Sequence, residues 1–208
     1  IKLAYLASIG QVKLRLTPQN GKESLILAEM EEIQNRIVSR IENYIYGFGD
    51  ITFSEALGEL LRSRGSNLSI AESCTGGFVA HTITSVSGSS QYFNGGVIAY
   101  SNEIKVSELQ VEESIIKTFG AVSKECAEAM AIGVRNKFNT NYAIATTGIA
   151  GPDGGTEDKP VGTVWLAVAS ENSVISKMIV FDRGRLQNIQ FSTMTVLNML
   201  RKLILQLN

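Results

Sequence analysis

Apolar residues mark out the first fifty positions as a small unit of their own. "KLAYLAS" and "QVKLRLT" read as two strands joined by a tight Ile-Gly turn, and a turn over Pro18-Gln19-Asn20-Gly21-Lys22 leads into a long helix. Along that helix Ile26, Met30, Ile33, Ile37, Ile41 and Ile45 recur at spacings of four and three, while Glu29, Glu32, Arg36 and Arg40 fall elsewhere. Such a stripe predicts an amphipathic helix laid on a small sheet, so residues 1–50 are expected to form a separate ββα module. The Gly47-Phe48-Gly49-Asp50 break closes it, and a new helix is predicted over Phe53 to Arg64.

From there the pattern alternates. Strands are predicted at 68–72, 96–101, 142–147, 162–169 and 174–182. Helices are predicted from Thr75 or Gly76, across 103–139, and from about residue 186. This order points to an α/β fold, a three-layer α/β/α sandwich over residues 51–208. A short "SENS" turn joins the last two strands after Ala169 and requires them to be antiparallel, so the sheet is expected to be mixed. No internal repeat and no low-complexity segment interrupts the pattern.

Composition narrows the function classes. The 208 residues are 44% hydrophobic and 19% charged, with a net charge of -1. No apolar run approaches a bilayer span, and no basic footprint for nucleic acid is present, so a neutral or small-molecule partner is expected. Cys74 and Cys126 lie far apart with no secretory segment, which argues against a disulfide framework and for a cytoplasmic protein. His81 is the single histidine, too few for a His-rich zinc site or a Ser-His-Asp triad. The chain starts at Ile1 on a strand-like run, as a fragment of something longer would.

Three stretches carry candidate chemistry. In "IAESCTGGFVAH", Ser73 follows a buried-looking strand and precedes Thr75-Gly76-Gly77, where backbone amides at a helix start can hold a developing oxyanion. Ser73 is then placed to attack a carbonyl; the alternative is that Ser73 or Thr75 merely caps the helix. In "GGVIAYSNEIK", Tyr100 and Lys105 project from a strand's C-terminal end, where open α/β sheets bind ligands. A lysine desolvated there can lose its proton and serve as base for Ser73; the alternative is an ordinary solvated lysine.

"ATTGIAGPDGGTEDKPVGTVWLAV", Ala145 to Val168, packs five glycines and two prolines between two apolar strands. That density implies a fixed loop passing close to a ligand. Thr146, Thr147, Gly148 and the backbone after them can cradle a phosphate or ribose. Asp153, Glu157 and Asp158 invite a magnesium reading, but they sit among turn residues that favour acids for local hydrogen bonds, and no metal is expected. Cys74 could be a nucleophile at a helix start, but His81 lies about 10 Å along the helix, so Cys74 reads better as a packed residue. Arg183 and Arg185 enter the final helix, and either can pair with a phosphate.

Taken together and in this order, "AESCTGG", "YSNEIK" and "TGIAGPDGGTEDKPVGTV" resemble the C-terminal domain of the CinA family of competence/damage-inducible proteins, over residues 53–208. The resemblance implies a five-stranded mixed sheet. It also implies a nicotinamide mononucleotide (NMN) deamidase that releases nicotinic acid mononucleotide and ammonia in pyridine-nucleotide salvage, with no cofactor. Carried onto this chain, Ser73 is the nucleophile, with Tyr100 and Lys105 as partners. Thr75, Gly76, Gly77, Asn102, Thr147, Gly148, Ala150, Gly151 and Arg185 are expected around the substrate. The ββα module resembles the KH-type segment that precedes this domain in the family. An upstream nucleotide-pyrophosphatase-like domain and a homo-oligomer are expected on the same ground.

The module has no Gly-x-x-Gly loop, and its six basic and six acidic residues cancel, so RNA binding is not expected and a structural or interdomain role is. A rival reading of the whole is a nucleotide-binding or regulatory module without catalysis.

Overall fold

The structure is a computed structural model that describes residues 1–19 and 23–207. The chain divides into two compact units, Ile1–Ile51 and Thr52–Asn208.

In the first unit, β1 (Lys2–Ser8) and β2 (Gln11–Thr17) form an antiparallel pair, followed by α1 (Glu23–Ile41). The predicted turn at 18–22 lies partly outside the described residues. Ile26, Met30, Ile33, Ile37 and Ile41 are the half-buried stripe of α1, while Glu29, Glu32, Arg36 and Arg40 are exposed. Ile45 falls beyond the helix, after a single 3-10 turn. No described residue of this unit is fully buried.

The second unit opens with α2 (Phe53–Ser63). Thr52 caps it, accepting from the Glu55 N–H while the Glu55 carboxylate accepts from the Thr52 N–H. There follow β3 (Leu68–Glu72), α3 (Phe78–Thr84), β4 (Phe93–Ile98), α4 (Asn102–Leu109), α5 (Glu113–Phe119) and α6 (Lys124–Phe138). The chain ends with β5 (Tyr142–Gly148), β6 (Thr163–Ala169), β7 (Val174–Val180) and α7 (Arg185–Leu205). The five strands form one mixed sheet in the order β4-β3-β5-β6-β7; β3 runs parallel to β4 and β5, and β5, β6 and β7 pair antiparallel.

Side-chain alternation divides the sheet into two different faces. One presents Ala71, Ala143, Ala145, Ala167 and Ala169 to Cys126, Ala127, Met130, Ala131 and Val134 of α6. Alanines let the helix approach closely. The other presents Ile70, Ile144, Leu166 and Val168, and α7 buries Val196, Leu197, Leu200 and Ile204 on that side, with Leu57, Leu61, Val79 and Ile83 of α2 and α3 also buried. Each such side chain contributes about 1.5–3 kcal/mol when fully buried.

Three expectations shift. Helix α3 begins at Phe78 rather than Thr75 or Gly76, because Gly76 (φ +59°) and Gly77 (φ +99°) take left-handed backbone that a helix interior does not admit. Strand β4 covers 93–98 instead of 96–101, so Tyr100 lies past its end. A Cβ at Gly96 would stand 2.6 Å from the Ile70 carbonyl, so glycine is what lets β4 lie against β3 there. The span 103–139 is three helices, interrupted at Gln110 (φ 56°) and Gly120 (φ 82°).

Candidate active site

Strand β3 ends where the chemistry starts. Its neighbours β4 and β5 run parallel to it, so three strands deliver their C-terminal ends to one rim of the sheet. Ser73 is the first residue beyond β3. Its N–H donates to the Thr146 carbonyl at 2.9 Å, and its own carbonyl accepts from the Gly76 N–H at 3.1 Å. The side chain is buried, which fixes the hydroxyl.

Lys105 reaches that hydroxyl from α4. Its Nζ lies 3.2 Å from Ser73 Oγ, 2.9 Å from the Ala99 carbonyl and 3.4 Å from the Ser101 carbonyl. The residue is 1% exposed. Among the described residues no carboxylate forms an ion pair with it. Burial pushes its pKa down from the ordinary 10.5, opposed by smaller effects of Cys126, Cys74 and Glu103. Nζ donates to all three oxygens, Ser73 Oγ included.

Electrostatics set the adjacent thiols apart from this pair. Burial, with a smaller contribution from Glu72, pushes Cys74 up to about 12, and burial raises Cys126 as well. Both are free thiols packed in the core.

The amides around Ser73 are more committed than the sequence suggests. Gly76 N–H is taken by Ser73, and Phe78 N–H by the Thr75 carbonyl at 3.0 Å. The Gly77, Val79 and Ala80 N–H groups donate to the Glu72 carboxylate at 3.0, 3.1 and 2.8 Å. Among the described residues the N–H groups of Cys74 and Thr75 donate to no other residue, and the Cys74 N–H faces its own thiol. Those two amides, rather than a run from Thr75 to Gly77, are available to an oxyanion.

Residues of the 145–168 loop take several roles. Thr75 and Thr146 share a buried hydroxyl–hydroxyl bond of 2.7 Å. Thr147 donates to the Ala121 carbonyl at 2.7 Å and is itself buried. Gly148 is a packing glycine, since a Cβ there would stand 2.6 Å from the Thr163 carbonyl and 2.7 Å from Val164 Cα. The carbonyls of Ala150 and Gly151 accept from Asn188 Nδ2 at 2.9 Å and Arg185 Nη1 at 2.8 Å. Arg185 Nη2 donates to the Tyr100 hydroxyl at 3.1 Å. Tyr100, 61% exposed, is thus tied to Arg185 and not to Ser73 or Lys105. Asn102 opens α4 with an exposed side chain.

No three His, Cys, Asp or Glu side chains gather into a metal-binding group among the described residues, and Asp153, Glu157 and Asp158 are exposed. No described helix is long and apolar enough to cross a membrane. A shallow depression bordered by Ile132, Arg135 and residues 170–174 lies at the opposite end of the sheet and holds neither Ser73 nor Lys105.

Two residues of the site escaped the sequence reading: Glu72 looks like the polar end of a strand and Asn188 like a surface residue of the last helix. Thr146, expected to help cradle a phosphate or ribose, accepts from the Ser73 N–H and bonds the Thr75 hydroxyl. A usable signal for Glu72 was a carboxylate closing an otherwise apolar strand, a few residues before orphan helix amides.

Comparison with known proteins places this chain among relatives. The family described as CinA C-terminal domain matches residues 50–204. A CinA-like protein of Cytophaga hutchinsonii is 42% identical over 200 residues, covering 96% of this chain and 48% of that protein. One of Flavobacterium psychrophilum is 43% identical over 207 residues, covering 99% and 50%. The chain spans about half the length of these curated relatives. Among solved structures, the competence/damage inducible protein CihA from Agrobacterium tumefaciens superposes with a TM-score of 0.68 at 38% identity, covering 75% of this chain and 99% of that one. A CinA superfamily protein from Klebsiella pneumoniae gives 0.70 at 29%, covering 72% and 94%.

Proposed function

Because this chain belongs to the CinA family, we propose that its second unit is a nicotinamide-nucleotide amidase that hydrolyses the carboxamide of NMN to nicotinic acid mononucleotide and ammonia. The observation that carries this reading is the surrounding of Lys105 Nζ. Nζ donates to two main-chain carbonyls and to Ser73 Oγ, burial disfavours its charge, and no carboxylate among the described residues forms an ion pair with it. An alcohol beside an uncharged amine is the arrangement that acyl transfer requires when no histidine serves.

Ser73 Oγ forms a bond to the carboxamide carbon while Lys105 takes the hydroxyl proton. Negative charge moves to the carbonyl oxygen, and the Cys74 and Thr75 amides stabilise it. The C–N bond then breaks, and ammonia leaves with the proton returned from Lys105, Tyr100 assisting. Water attacks the resulting ester, giving a proton to Lys105, which passes it back to Ser73 Oγ as the carboxylate departs. The 5′-phosphate rests against the 146–151 loop and Arg185. That guanidinium uses two of its five N–H donors on Gly151 and Tyr100, and the rest remain for an anion. Asn102, exposed at the start of α4, faces the ribose in this reading. The first unit, ββα in order, is assigned as a KH-type structural or interdomain module.

The test is ammonia release from NMN, with a chelator present, by the parent protein and by Ser73→Ala. The reading expects turnover by the parent and a loss of several orders of magnitude in the variant; near-full release by Ser73→Ala overturns the mechanism.

A further inference from the structure

Glu72 is a buried carboxylate, 1% exposed, with no cation paired to it among the described residues. Its oxygens accept three main-chain N–H groups: Gly77 and Val79 on Oε2, Ala80 on Oε1. A carboxylate so deeply buried is costly unless it is fully hydrogen-bonded, and here the first turn of α3 supplies the bonds. A structural role in holding α3 would be served from many positions. What sets this one apart is its register. Glu72 is the last residue of β3 and Ser73 the next, so successive side chains leave opposite faces of the sheet. Glu72 holds α3 on one face while Ser73 meets Lys105 of α4 on the other.

Between these two anchors the chain has four residues in which to turn, Cys74 to Gly77. Gly76 and Gly77 are left-handed, a conformation that places little restraint of its own on the turn. Bonds restrain it: Ser73 N–H to Thr146 before it, Gly76 N–H to the Ser73 carbonyl and the Thr75 hydroxyl to Thr146 within it, and Glu72 to Gly77 after it. The Cys74 and Thr75 amides lie between. By accepting the Gly77 N–H, the carboxylate also removes a competing donor from the turn, which leaves those two amides as its open ones.

We propose that Glu72 is a positioning residue for the Ser73 nucleophile: its carboxylate clamps the Cys74–Gly77 turn and thereby fixes both the Ser73 hydroxyl and the two amides that receive the oxyanion. This rests on the reading of Ser73 and Lys105 as a nucleophile–base pair, but not on NMN as the substrate. Glutamine at this position keeps the shape but turns an amide NH2 toward one or two of the three N–H donors, so the clamp is lost with little change in volume.

The experiment measures the rate at which a fluorophosphonate labels Ser73, followed by intact mass and peptide mapping, alongside ammonia release from NMN. Labelling forms an Oγ–P bond and expels fluoride, with the hydroxyl proton passing to Lys105; it reports the activated serine whatever the substrate. The expected result is a parent labelled at Ser73 and a folded Glu72→Gln labelled at least tenfold more slowly. In the same variant kcat for NMN falls by a similar factor, KM stays within about twofold, and the rising limb of the pH profile does not move. If Glu72→Gln fails to fold, Glu72→Asp, which keeps the charge but withdraws it by one methylene, takes its place with the same expectation. Labelling at the parent rate in a folded variant overturns the proposal, as does an unlabelled parent or a displaced pH limb. A parent that labels readily yet releases no ammonia from NMN removes the substrate assignment and leaves the positioning role standing if the variant slows.

Discussion

Lys105 Nζ lies 3.2 Å from Ser73 Oγ, 32 residues away in the chain, in a contact buried from solvent. The same nitrogen touches the carbonyls of Ala99 and Ser101, so α4 does not simply carry a lysine toward the serine; the strand-to-helix turn that precedes it grips the amine from two sides. Each prediction below tests one part of this arrangement or of what supports it.

Lys105→Arg keeps a positive charge but cannot accept a proton near neutrality. It is expected to lower kcat for NMN by about 10²–10⁴-fold, the usual worth of a general base. Steady-state kinetics at neutral pH check this, and normal turnover in the variant rejects Lys105 as the base.

Burial lowers the Lys105 pKa below 10.5, and the base must be unprotonated, so kcat/KM should climb with pH and level off below the ordinary lysine range. Stability follows the same linkage. Between the depressed folded value and 10.5 the unfolded chain binds a proton that the folded chain does not, so stability due to this group increases as pH rises through that window. A Lys105→Met protein lacks this dependence. Its melting temperature relative to the parent should therefore fall as pH rises toward 10.5, and a relative melting temperature that rises with pH contradicts the shift.

Gly133 of α6 sits where a Cβ would overlap the Leu109 carbonyl at the end of α4. Gly133→Ala should push α4 off α6, with a cost of about 1–3 kcal/mol for overpacking. Since α4 carries Lys105, turnover should fall further than the loss of folded protein explains. Urea melts and kinetics on the same sample decide it; unchanged activity and stability together would show that the helices separate freely.

Arg185 joins Tyr100 to Gly151, and neither bond survives Arg185→Ala. The expected effect is mainly on KM for NMN, about tenfold or more, because a phosphate contact is lost together with the tie to the loop. Tyr100→Phe removes only the hydroxyl and should affect kcat more than KM. The reverse pattern in the two variants would exchange their assigned roles.

Thr52→Ala breaks the capping box of α2 and is expected to lower stability by about 1 kcal/mol without changing turnover. Thermal or urea unfolding checks it.

Legibility in the sequence tracked how local the physics was. The apolar strand before Ser73 and the short Ser170–Ser173 turn depend on neighbours in the chain, and both strand and antiparallel pairing appear where expected. The start of α3 was misplaced by two or three residues because glycine signals a turn without telling where helical backbone resumes, and here Gly76 and Gly77 both remain left-handed. Strand β4 was shifted because Asn94-Gly95-Gly96 resembles a turn, whereas close approach to the Ile70 carbonyl is what calls for glycine at 96. Lys105 could be suspected from its place after a strand, but its burial is set by α6 packing over α4, a long-range contact that one sequence does not display. Glu72 was missed for the same reason: its partners are amides, and amides have no letter.

The antiparallel hairpin of β6 and β7 turns at Ser170–Ser173, level with Ala143 and so at the far edge of the sheet from Gly148 and Ser73. Because the parallel strands bring their ends to one rim and the hairpin reverses at the other, the second unit, taken by itself, has a front and a back. A fluorophore, affinity peptide or surface tether grafted at that back turn would stand at the rim of this unit away from Ser73 and Lys105.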